Sequence, residues 1–330
     1  AADAAAAGLA RGVSSHEVFE LYCRYAARDF RSIGHKAIFL ANAWRTLNTI
    51  GWQHAEPILR SLAYAMLNHT GEPNPATSDL EPDRPWRHNE TLVKKLDASW
   101  RDGGADNEGD VIYLIKRFRE ANANEASESF VSLLKQGTSP QSLWDATFLA
   151  AGELLARQPG IVPLHAMTST NAIHYLYQTT QDETLQQKLL LQNAAFVTLF
   201  RDAAKRRGRL GSFAIDDFAW EKRDSYDLEA GRRTILSNIN ENPQQASSDV
   251  MTYLNSQGEA EELIDAARLM VFFKGTNSHD YKFSSAVLED FYNVSPRWRD
   301  RYLAASVFNL RGTSGRDNPI VERTKAALTG

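Results

Sequence analysis

The sequence predicts an all-α protein, a large single-domain array of helices with long irregular loops. Three observations carry that prediction. Apolar residues recur at three- and four-residue spacing along most of the 330 residues. Strand-like alternation is weak; its best case, Asp110 to Ile115, runs directly into a helical charge pattern. Prolines also stand at first-turn positions after a capping serine, Pro140 after Ser139 and Pro296 after Ser295.

Taken in order, the first helix is expected over Glu17–Tyr25, where Val18, Leu21, Tyr22 and Tyr25 share a face and Ser14 or Ser15 can cap. A second spans His35 to Asn48 with Ile38, Phe39, Ala41, Trp44 and Leu47 on helical spacing; Thr49-Ile50-Gly51 interrupts it. The pattern resumes from Ala55 to Asn68 through Leu59, Leu62, Ala63 and Met66. It fails from about 69 to 90, where Gly71, Pro73, Pro75, Pro82 and Pro85 predict an irregular surface excursion. Helical texture returns over Thr91–Trp100 and breaks across Arg101–Gly109. Further helices are expected at 110–121, 125–136, 140–156, 164–179, 182–206, 227–237, 243–256, 259–274, 280–292 and 296–308, with a minor substructure after about 207. No self-similarity of solenoid length is visible. Gly208-x-x-Gly211 falls short of a dinucleotide fingerprint and no P-loop occurs, so neither NAD nor flavin is expected.

Composition narrows the function classes. There are 37 Lys and Arg against 41 Asp and Glu, a net charge of −4, so nucleic acid is not an expected partner. No apolar run reaches the roughly 18–20 residues of a membrane span. Cys23 is the single cysteine, which removes thiolate-rich zinc sites and iron–sulfur clusters. A metal would have to be held by His, Asp, Glu or an oxygen derived from lysine. The sequence begins at Ala1 with no secretory pattern; a soluble cytoplasmic protein is favoured, and a processed exported one is the alternative.

The eight histidines are therefore the place to look. His16, His69 and His88 stand at a helix start or beside the Pro-rich excursion, where a solvated role is the default. His35, His54, His165, His174 and His279 lie in apolar, helix-forming surroundings, and helical arrays build metal sites from such inward-facing side chains. His279 and Lys282 are three apart, on one face of a helix. An ammonium has no lone pair to offer, but a lysine carbamylated by carbon dioxide is an anionic oxygen ligand. His165 and His174 are nine apart, about 180° around a helix, so one straight helix cannot point both at one ion. His165 is the better ligand, and His174 packs on the opposite face or supports from behind. A two-histidine-one-carboxylate triad is the competing arrangement, with Glu56, Asp145, Glu153 and Asp280 as candidates. The basic run Lys205–Arg209 complements the C-terminal dipole of the preceding helix.

Three segments together resemble the questin oxidase-like family: Gly34–Ala43 (GHKAIFLANA) with Glu56–Tyr64 (EPILRSLAY), Leu164–Ala172 (LHAMTSTNA), and Thr276–Phe283 (TNSHDYKF). The ordered set spans roughly residues 30–292. The resemblance implies a large all-α oxygenase that oxidises or cleaves aromatic or polyketide-type rings with dioxygen. It also implies a mononuclear non-haem iron held by histidines and a carbamylated lysine. Carried over by position, His35, His165, His279 and Lys282 match. Asn171 stands where the family's middle element has its second histidine, and His54 or, alternatively, His174 would fill that place. Trp44, Trp52, Tyr175 and Tyr281 are candidates for an aromatic wall around the substrate. Fe(II) is the expected ion, with zinc or another divalent metal as the alternative. Two other readings stay open: a hydrolase with a redox-inert ion, and a helical binding protein without chemistry.

Overall fold

The computed structural model describes residues 8, 11–68, 71–104, 106–218, 220–221 and 225–329. It is all-α, and no strand occurs among the described residues. No helix among them is long and apolar enough to cross a membrane.

The chain falls into two compact units, Ala1–Thr147 with Ser169–Ala203, and Phe148–Thr168 with Ala204–Gly330. The first holds α1 (Ser15–Ala26), α2 (His35–Ile50), α3 (Ala55–Leu67), α4 (Arg84–Val93), α5 (Glu108–Glu120) and α6 (Ala123–Lys135). The boundaries fall inside three further helices, α7 (Pro140–Arg157), α8 (Ile161–Thr179) and α9 (Glu183–Lys205), rather than in linkers. The second unit holds α10 (Leu228–Glu241), α11 (Pro243–Asn255), α12 (Ala260–Lys274), α13 (Ser278–Asn293), α14 (Pro296–Ser306) and α15 (Pro319–Thr329).

Local chemistry explains the helix starts. Ser14 caps α1 in a reciprocal capping box: its hydroxyl accepts from the Glu17 N–H, and the Glu17 carboxylate accepts from the Ser14 N–H. Asn122 does the same for α6 with Glu125. Gly51, at φ 101°, ends α2 where only glycine is unstrained, and the 3₁₀ turn Trp52–His54 then leads into α3. In the first unit α1 packs on α2, α2 on α3, and α4 and α5 on α6. Its core joins Phe19 to Trp44 at 4.8 Å and groups Phe30, Phe196 and Phe200 edge to face. In the second unit α11 packs on α10 and α14, and α13 on α12 and α14. There Phe148 meets Tyr302 edge to face, and Gly152 of α7 lets Ala305 approach closely.

Two stretches differ from the sequence reading. The excursion expected to about residue 90 ends earlier, because a 3₁₀ turn at Glu81–Asp83 feeds α4 from Arg84. Pro82 and Pro85, read as breakers, occupy first-turn positions where a missing N–H costs nothing. Buried Asp83 ties that start to Arg31, whose Nε donates to it at 3.0 Å. The helix expected over 91–100 correspondingly stops at Val93 and is followed by turns. At the other end α15 has no buried residue and left no apolar stripe to find.

Candidate metal centre

In the second unit the turn ahead of α13 positions His279. Asn277 caps the helix, its Oδ1 accepting from the His279 N–H at 2.9 Å. Asp280 accepts from the Thr276 N–H at 2.9 Å and forms an ion pair with Arg311. Burial pushes the Asp280 carboxyl up, but the Thr276 N–H and the Arg311 guanidinium outweigh it and hold the group below the usual range. His165 lies one turn into α8 and is 2% exposed. Its Nδ1 is 2.7 Å from the Ile161 carbonyl oxygen. The His165 and His279 rings meet edge to face with centroids 5.4 Å apart.

His35, in the first unit, opens α2 behind an unusual stretch of backbone. Ile33 has φ 47° and Gly34 has φ 78°. The left-handed region is open to glycine, but a β-branched residue there stores about 1–3 kcal/mol of strain, a cost found mainly at functional positions. The stretch is pinned by a buried ion pair, Lys36 Nζ to Asp29 at 2.7 Å, and Lys36 also donates to the Met66 carbonyl at 2.9 Å. His35 Nδ1 is 2.7 Å from the Ser32 carbonyl oxygen, and its ring stacks against Phe39.

Within the second unit His165 and His279 each offer a ring nitrogen, and these two nitrogens lie within 4.8 Å of each other. The Nδ1 contacts of His35 and of His165 fix the chemistry of those two rings. A carbonyl oxygen only accepts, so Nδ1 of His35 and of His165 must carry the proton. In a neutral ring Nε2 then holds the lone pair, the arrangement that second-sphere carbonyls impose on metal-binding imidazoles. A pair of this kind can bind a metal ion.

The remaining candidates are placed otherwise. His54 is exposed at the end of its 3₁₀ turn. His174 is buried in the first unit, with Trp144 edge-on at 4.7 Å and Tyr177 stacked at 6.2 Å. Burial, reinforced by the Arg45 charge, lowers its pKa to about 3. Lys282 is half-buried, three residues beyond His279 on α13. The candidate carboxylates are engaged: Glu56 with Arg60, Asp145 with Gln141, Glu153 with the Ile215 N–H, and Asp280 as above. Trp44 is core, wedged between Phe19 and Trp52. Trp52 donates to Asn48, Tyr175 lies under the Arg45 guanidinium at 4.2 Å, and exposed Tyr281 donates to the Gly275 carbonyl. His16 and His88 pair with Glu20 and Glu128, and His69 lies outside the described residues.

Sequence reasoning missed the left-handed Ile33–Gly34 pair and the Asp29–Lys36 ion pair. Nothing in periodicity marks either; the glycine before His35 was the only available signal. Comparison with family models, curated proteins and solved structures gives no match for this chain.

Proposed function

We propose that His165 and His279 hold a divalent metal ion, iron first, with His35 added to them by the family resemblance, and that the protein is a metal-dependent oxygenase acting on an aromatic or polyketide-type ring. The observation that carries the reading is the His165–His279 pair of the second unit, two ring nitrogens within 4.8 Å of each other, with the His165 Nδ1–H given to the Ile161 carbonyl so that Nε2 keeps its lone pair. The donor set fits such an ion. Tetrahedral nitrogen ligands at their usual bond length stand about 3.4 Å apart, so the pair closes onto a metal with small side-chain adjustments.

The oxygenase assignment rests on the resemblance of the His35, His165 and His279 segments to the questin oxidase-like family. Bound iron supplies redox chemistry with dioxygen, and the protein supplies the ligands and their orientation. The same resemblance gives the anionic oxygen ligand to carbamylated Lys282, three residues beyond His279 on α13. A three-histidine donor set also suits zinc, and a zinc-dependent hydrolase is the second reading.

Metal titration of the whole protein, followed by anomalous scattering, tests the site: one ion per chain bonded to these imidazoles is expected, and no ion there would refute it. Oxygen consumption by the iron-loaded protein with a panel of quinones and anthraquinones separates the oxygenase from the hydrolase. Lys282→Ala should lose the ion, and ¹³C-labelled carbon dioxide should give a carbamate signal in the wild type; unchanged occupancy would reject the carbamate.

A further inference from the structure

An open cavity of about 820 Å³ lies in the first unit, walled by Leu21, Tyr22 and Tyr25 of α1 and by Met66 and Leu67 of α3. Leu21 is 56% exposed and Leu67 64% exposed, so large apolar side chains face solvent side by side along this cleft. Contiguous exposed apolar surface of this kind marks a binding site, and the volume is within the range of small-molecule pockets.

The charges at its rim decide what fits. Glu17 is committed to the α1 capping box, accepting from the Ser14 N–H and hydroxyl at 2.9 Å. Glu72 accepts from Arg31. Arg28 also lines the cavity; its guanidinium lies 4.8 Å over the Tyr25 ring and has no carboxylate partner among the described residues. The ring holds the guanidinium plane while leaving its N–H edge for a ligand. An uncommitted guanidinium at the edge of an apolar cleft recognises a carboxylate attached to an apolar body.

We propose that this cleft binds an apolar monocarboxylate, its carboxylate on Arg28 and its hydrocarbon body between α1 and α3. His35, His165 and His279 do not line it, so the inference stands apart from the metal reading.

Fluorescence titration of the whole protein with 11-(dansylamino)undecanoic acid tests it. Saturable binding of one probe per chain is expected, displaced by dodecanoate or by 2-naphthoate. The stronger displacer identifies the body as chain or ring. Dodecanol and dodecylamine should compete at least tenfold more weakly. Arg28→Gln should weaken the probe at least tenfold, and so should Leu67→Glu, whose exposed position leaves the fold intact by circular dichroism. Absence of saturable binding, dodecylamine competing as well as dodecanoate, or wild-type affinity in both variants would overturn the proposal.

Discussion

His165 and His174 stand on one helix, nine residues apart, and their surroundings make different chemical objects of them. Both are buried, at 2% and 4% exposure. His165 gives its Nδ1–H to a carbonyl one turn back and offers a ring nitrogen within 4.8 Å of one on His279. His174 is packed between Trp144 and Tyr177 beside Arg45, and stays neutral far into acid. Burial alone therefore does not distinguish a ligand from a core residue. What distinguishes them is whether a backbone acceptor fixes the tautomer and whether other donors converge on the same point.

The largest effect that would break this comparison is on metal retention. His165→Ala should weaken metal binding more than the roughly 10–100-fold typical of losing an outer-sphere partner, whereas His174→Ala should leave metal content unchanged. Equal losses in the two variants, measured as metal per chain after dialysis, would erase the distinction.

A smaller effect concerns acid stability. The folded-state pKa of His174 is about 3 against an ordinary 6.5, so between those values the unfolded chain binds the proton and the folded one does not. Stability from this group is thus lost as pH falls from 6.5 toward 3, by about 1.4 kcal/mol per pH unit. His174→Phe should flatten the acid limb of the urea-unfolding profile by one proton; an unchanged slope would mean that the ring ionises in place. The smallest effect belongs to Arg45. Arg45→Met removes the charge that helps keep His174 neutral, so slightly more stability should survive at pH 4, read as a smaller drop in Tm between pH 7 and pH 4.

Much of this was legible in the sequence because helical periodicity is a direct consequence of geometry. The nine-residue spacing already separated His165 from His174, and the three-residue spacing put Lys282 with His279. Ser14, one of the two serines read as possible caps, does cap the first helix, whose start was read to within two residues. The failures have physical causes as well. Pro85 lies in the first turn of α4, and composition cannot tell that position from a break. Asp280, a candidate ligand by type, spends its oxygens on Thr276 and Arg311, and only the folded turn reveals that. Exposed His54 was indistinguishable from its neighbours because the 3₁₀ turn that directs it leaves no periodic signature. The cleft between α1 and α3 was invisible because Leu21 and Met66, which line it, read as core residues on an ordinary amphipathic pattern.

Gly34 has a consequence for how this chain can change over generations. Its φ of 78° already disfavours any side chain, and a Cβ there would stand 2.6 Å from the Ser169 Cβ. The two objections are independent, so relaxing one does not permit a substitution. A residue such as Ile50, exposed at the far end of the same helix, has latitude to vary. The position beside His35 has none, and in any library of random variants it should be the place where the molecule remembers its ancestor best.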